Sequence, residues 1–87
     1  MEIIVIDVRE RWEFAFGCKP DSINIPVHEL PEHLEELRAF SGLIILCCAT
    51  GSRSGLAANY LFQEGIENVT NGGGWKHLIF TKYKNES

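Results

Sequence analysis

The chain has no long apolar run: the longest, Leu43 to Ala49, falls well short of the ~18 residues that a membrane span needs. It has no excess of positive charge, since 8 Lys+Arg face 12 Asp+Glu for a net −4, which argues against a nucleic-acid surface. No secretory leader is expected, because Met1 leads straight into Glu2 and a strand-like run. The cysteines do not make an even set. Three of them argue against a disulfide-stapled secreted scaffold and for thiol chemistry in a reducing, cytoplasmic setting. Repeats, Pro/Ser linkers and like-charge blocks are missing as well. With 87 residues, 45% of them hydrophobic, the expectation is one domain over 1–87, near the lower size limit for folding alone.

What is present is an alternation of short apolar runs with helical patterns. Ile3-Ile4-Val5-Ile6 is β-branched throughout and reads as a strand buried on both faces, ended by Asp7. Glu10 to Phe16 reads as a helix with Trp12 and Phe16 on one face and Gly17 as its stop. Ser22 to Ile25 is a short second strand closed by Pro26. Pro31 suits a first turn, with Leu30, Leu34 and Leu37 inward and Glu32, Glu35 and Glu36 outward, until Ser41-Gly42 breaks the helix. Leu43 to Cys47 is a third, central strand. A helix from about Arg53 to Glu64 follows, with Ala57, Tyr60 and Leu61 inward and Gly65 as its cap. Asn68 to Asn71 is a fourth strand, Gly72 to Gly74 a turn, and Trp75 to Tyr83 a short helix before a fraying tail, Lys84 to Ser87. Trp12, Phe14, Phe16, Phe40 and Phe62 are expected in the core. Such alternation implies an α/β fold: a small, mostly parallel sheet of four to five strands with helices on both faces.

In such sheets ligands bind beyond the carboxyl ends of the strands. That rule selects Asp7, Val8 and Arg9 after the first strand, and Cys48 with its loop after the third. Cys48-Ala49-Thr50-Gly51-Ser52-Arg53-Ser54 joins strand to helix in few residues, so the backbone curls tightly at Gly51 and turns N–H groups into the concavity. The start of the following helix adds its positive end. A cysteine in such a cradle is a stabilised thiolate beneath a site for an oxyanion, and Arg53 can reinforce it with a charged planar fork.

Magnitudes decide what the cradle is for. Lowering a thiol pKa by two units from ~8.5 raises the thiolate fraction at pH 7 from roughly 3% to roughly 75%. Nucleophilicity then falls about tenfold, so the net gain is only a few-fold. Holding an anionic substrate or an anionic sulfur intermediate is the better account. The bland alternatives are a buried, inert Cys48 and a solvated Arg53. Alternation along the strand sends Cys47 to the opposite side, into the core. His28, His33 and His77 form no metal-ligand spacing with each other or with the cysteines, so no metal is expected.

These segments resemble a single-domain rhodanese, a sulfurtransferase, over nearly the whole chain. Ile4 to Glu10 followed by Trp12-Glu13-Phe14 resembles the family's first signature and Ile23-Asn24-Ile25-Pro26 its second. Cys48 to Ser54, with Gly55 and Ala58, resembles the active-site loop and its helix, and Gly72-Gly73-Gly74-Trp75 the closing signature. The resemblance implies that Cys48 is the catalytic nucleophile. It would take sulfur from a small anionic donor such as thiosulfate, form a persulfide held by the amides of Ala49 to Arg53, and pass the sulfur to cyanide or a thiol. No cofactor is implied, and a protein sulfur acceptor is a further candidate partner. Asp7 is expected to brace backbone amides or pair with a cation. Arg9 is expected to pair with Glu13.

Two departures stand out. Gly17-Cys18-Lys19-Pro20-Asp21 replaces the family's usual glycine-histidine-isoleucine-proline-glycine, so Asp21 stands where a glycine eases a turn. Cys18 reads as a half-buried loop residue or, alternatively, as a resolving thiol. The chain also opens directly on a strand, which points to four strands and marginal stability. Two other functions compete. Cysteine phosphatases and arsenate reductases share the cysteine, cradle and arginine, but phosphatase loops generally place five residues before the arginine where this chain has four, Ala49 to Ser52. A rhodanese-like module relaying sulfur to a protein partner is the other.

Overall fold

The two runs richest in Ile, Leu and Val form the centre of the sheet, because strands covered on both faces need apolar side chains at every position. In a computed structural model, described here for residues 2–80, β1 (Ile3–Asp7) and β3 (Leu43–Cys48) pair in parallel from Ile3↔Leu43 to Asp7↔Cys47. The short β2 (Ile23–Asn24) flanks β1 and β4 (Val69–Gly74) flanks β3, giving four parallel strands in the order β2-β1-β3-β4. The expectation of four to five strands resolves to four among the described residues.

Two cores lie on opposite faces. Ile6, Ile44, Leu46 and Cys48 pack with Leu37 of α2 (Leu34–Ala39) and with Ala57 and Leu61 of α3 (Ser52–Gln63). Val5, Ile45 and Cys47 pack with Leu78 of α4 (Trp75–Ile79), Trp75 lying against them. The expected helix through Pro31 is instead a 3-10 segment, Val27–His33, running into α2. Pro31 lies inside that segment, where its missing N–H bars an α-helical bond back to Val27, so the α-helix begins only after it, at Leu34. Helix α4 occupies part of the expected Trp75–Tyr83 helix; residues 81–83 and the expected fraying of 84–87 lie outside the described residues.

Three expectations fail for physical reasons. The helix α1 (Arg11–Phe16) buries no residue: Trp12 is 65% and Phe16 87% exposed. At six residues it makes under two turns, too short to lay a stripe on the sheet, and polar contacts hold it instead. A capping box joins Glu10 and Glu13, and Arg11 pairs with Glu29. Phe62 is also exposed, and Phe14 and Phe40 are half-buried. The glycine run is the third case. Gly72 to Gly74 is not a turn but the end of β4, carrying a bulge, since Leu46 pairs with Asn71 while the next residue, Cys47, pairs with Gly73. Gly72 is the extra residue. A Cβ there would sit 2.6 Å from Ile45 Cγ2 and 3.2 Å from Leu46 O. Gly72→Ala is therefore expected to cost about 1–3 kcal/mol through overpacking, measured as a fall in the urea midpoint at unchanged slope.

Asp21 adopts φ 68, the left-handed conformation that a glycine would take most easily. Aspartate is among the few residues that tolerate it, so the turn survives the replacement.

Candidate active site

The order β2-β1-β3-β4 reverses direction between β1 and β3, and the carboxyl ends of these two strands flank the crevice that opens there. Cys48 ends β3. Gly51, at φ 100, turns the chain back so that α3 begins directly over the sulfur. Cys48 Sγ accepts hydrogen bonds from the N–H of Gly51 at 3.0 Å and from the N–H and hydroxyl of Ser54, both at 3.4 Å. Burial acts to raise the thiol pKa. The hydroxyl and N–H of Ser54 and the N–H groups of Thr50 and Gly51 outweigh it and lower the pKa from 9.0 to about 7. Cys47, one residue earlier, has no such donors, and burial followed by the charge of Asp7 pushes it up to about 12. Cys18 is a half-buried free thiol, and none of the three cysteines is in a disulfide.

The loop divides by role. Ala49, Thr50 and Ser52 form its open rim, with Thr50 Oγ1 and Ser52 Oγ 3.3 Å apart. Ser54 is fully buried and fixes the inner wall. Its hydroxyl has one proton and two acceptors, Cys48 Sγ and the nearer Asn71 Oδ1 at 2.7 Å. A charged sulfur is the stronger acceptor for that proton, so it turns toward Sγ when the thiolate forms. Ser54→Ala is expected to move the midpoint of Cys48 alkylation by iodoacetamide upward from about 7 toward 9.0, slowing the reaction at neutral pH. The plateau at high pH should rise slightly, because a more basic thiolate is the better nucleophile.

Asn71 was not legible as a site residue. Its Nδ2 donates to Gly51 O at 3.0 Å, while its Oδ1 accepts from Gly73 N at 3.0 Å and from Ser54 Oγ. It ties the bulge of β4 to the loop at both ends. The only hint in the sequence is its place immediately before three glycines.

Asp7 and Arg9 lie at the end of β1 and are almost wholly buried. Arg9 Nε lies 3.0 Å from each oxygen of the Asp7 carboxylate, and Nη2 reaches Oδ2 at 2.8 Å. Asp7 Oδ1 also accepts from Arg9 N at 3.0 Å. Burial works against the Arg9 charge, and the hydrogen bond and charge of Asp7 more than offset it. Nη2 donates further to Gly17 O at 2.7 Å, and the guanidinium lies 4.7 Å from the Trp75 ring centre. Asn24 Nδ2 locks the turn from below, donating to the carbonyls of Asp7 and Arg9.

The expected Arg9–Glu13 ion pair is absent. Arg9 meets only the backbone carbonyl of Glu13, at 3.5 Å, because its fork is already taken by the nearer, buried Asp7. The Glu13 carboxylate instead takes Arg53 in a two-point pair, Nη1 to Oε1 at 2.7 Å and Nη2 to Oε2 at 3.0 Å. That pair holds Glu13 down at about 2. Among the described residues no cluster of His, Cys, Asp and Glu could hold a metal ion.

The parallel sheet with a thiol under converging amides at its switch point can be set beside known proteins. The chain matches the rhodanese-like domain over residues 1–78 and belongs to that family. It is 33% identical over 70 residues to a sulfurtransferase of Allochromatium vinosum, a match covering 80% of this chain and 64% of that protein. With a thiosulfate sulfurtransferase of Pseudomonas syringae pv. syringae it shares 29% identity over 84 residues, 97% of this chain and 78% of the relative. The crystal structure of a rhodanese-related protein from Thermoplasma volcanium superposes with a TM-score of 0.75 at 38% identity, covering 95% of this chain and 82% of that one. The chain thus spans just under two thirds of the first relative and more of the other two.

Proposed function

We propose that this protein is a sulfurtransferase that carries sulfane sulfur as a persulfide on Cys48. The observation that carries this reading is the buried thiol held near pH 7 by the donors of Gly51 and Ser54. In the first half-reaction the Cys48 thiolate attacks the outer sulfur of thiosulfate. The S–S bond breaks, sulfite leaves with the electron pair, and the enzyme keeps a persulfide anion. In the second, cyanide or a thiolate attacks the terminal sulfur, forming thiocyanate or a new persulfide and returning the Cys48 thiolate. The amides that receive the thiolate are placed to receive the terminal sulfur as its charge moves outward. Asp7 and Arg9 touch no reacting atom and position the crevice wall.

The engagement of Arg53 with Glu13 weighs against the phosphatase reading, which needs that fork free to clamp a phosphate. Free thiols beside a reactive cysteine suit a reducing compartment, and we assign the protein to the cytoplasm on that ground. Intact-protein mass spectrometry after incubation with thiosulfate tests the reading. A gain of one sulfur atom, removed again by cyanide, is expected. No uptake, or uptake that cyanide leaves in place, would overturn it.

A further inference from the structure

A cradle built for anions ordinarily leaves its cation free to meet them, and this one does not. Both guanidiniums near Cys48 are already neutralised: Arg9 by Asp7, and Arg53 by Glu13 through two hydrogen bonds of 2.7 and 3.0 Å. Lys19 is buried, with its ammonium on the carbonyl of Pro20. Arg53 lies close enough to be influenced by the charges of Cys48 and Asp7, so whatever charge it presents is felt at the nucleophile. Its side chain is 40% exposed and that of Glu13 only 17%, so the arginine is the more open of the two to an incoming anion. Attack by a thiolate on a dianion brings three negative charges together, and here they meet the N–H donors of the loop and the Ser54 hydroxyl, while both nearby guanidiniums already face carboxylates.

We infer that Glu13 is a specificity-determining residue. By occupying Arg53 it tunes the crevice to sulfur donors carrying one negative charge, such as thiosulfonates and persulfides, in preference to dianions such as thiosulfate. The inference rests on the sulfurtransferase reading and narrows its substrate class. In the step it favours, the Cys48 thiolate attacks the sulfane sulfur of a thiosulfonate, the S–S bond breaks, and a sulfinate leaves with the electron pair. Glu13 touches no reacting atom. It acts through the field of Arg53.

Thiosulfate and methanethiosulfonate test this, because they differ by a methyl group in place of one charged oxygen. The readout is the ratio of kcat/KM for the two donors with cyanide as acceptor. Their intrinsic reactivities cancel when that ratio is compared between variants. Glu13→Gln keeps the capping geometry of α1, since glutamine serves at that position, and frees the charge of Arg53. It is expected to shift the ratio toward thiosulfate by roughly tenfold, the scale of one unit charge at a partly screened site, and the shift should shrink at high salt. Arg53→Gln leaves the carboxylate bare and is expected to shift the ratio the other way by a similar factor. The double variant should return near wild type.

A merely structural strut would slow both donors alike in every variant. An unchanged ratio, or a shift of the same sign in both single variants, overturns the inference while leaving the persulfide reading intact. If wild type accepts sulfur from neither donor, the persulfide reading itself fails and takes this inference with it.

Discussion

Cys48→Ser is expected to take up no sulfur from any donor and to lose roughly three orders of magnitude or more of turnover. The proposed mechanism turns on the ionisation of a thiol. Hydrogen bonds hold the thiol at about 7, whereas a hydroxyl stays protonated throughout the physiological range and no residue touching Cys48 Sγ is a base that could relieve it of its proton. A serine oxygen also forms no persulfide. The fold should be indifferent, because the substitution replaces sulfur by oxygen among the N–H donors of Gly51 and Ser54. The check is mass spectrometry beside the wild type, with circular dichroism to establish that both are folded. Equal sulfur loading in the variant would remove Cys48 from its role and direct attention to Cys18.

The second large effect is on stability. Asp7→Ala leaves the buried guanidinium of Arg9 without its carboxylate, and removing one partner of such a pair costs about 3–5 kcal/mol. An 87-residue chain has only about 4–13 kcal/mol in total, at about 0.05–0.15 kcal/mol per residue, so the variant should be largely unfolded on mild heating. The double variant Asp7→Ala with Arg9→Ala is expected to be more stable than Asp7→Ala alone, because no unpaired charge remains. It should stay below wild type, having lost the bonds from Arg9 to Gly17 O and its seat against Trp75. Urea denaturation of the three proteins measures this. If Asp7→Ala matches the double variant, the cost lies in lost packing and not in an orphaned charge.

The parts that the sequence made legible are those encoded locally. Ile3 to Ile6 and Leu43 to Cys47 announce central strands because every position is apolar, and the loop after Cys48 announces a tight curl through Gly51. The missed parts are encoded between distant segments. Spacing suggested that Glu13 would meet Arg9, four residues away, but the residue that takes it lies forty positions on. Asn71 reaches Gly51 across twenty residues, which no periodicity reports. Trp12 and Phe16 have helical spacing, yet spacing only says that two side chains share a face. Whether that face is covered depends on the length of α1 and its distance from the sheet. The glycine run misled in the opposite way: a local preference for turns was overridden by the pairing of β4 with β3.

The neighbours Cys47 and Cys48 show how little separates a thiol whose pKa burial raises from one whose pKa hydrogen bonds lower. They have the same chemistry and the same strand, and differ only in parity. A strand deals its side chains alternately to its two faces, so one cysteine joins the α4 side and the other the α3 side, where the curl of the loop receives it. Deleting a single residue anywhere from Leu43 to Leu46 would deal them the other way if pairing were kept from the strand's start. The protein would retain both sulfurs and lose the thiol on which the proposed persulfide forms. The strand acts as a selector whose setting is an odd or even count, and alternation along β3 carries as much functional information as the letter at position 48.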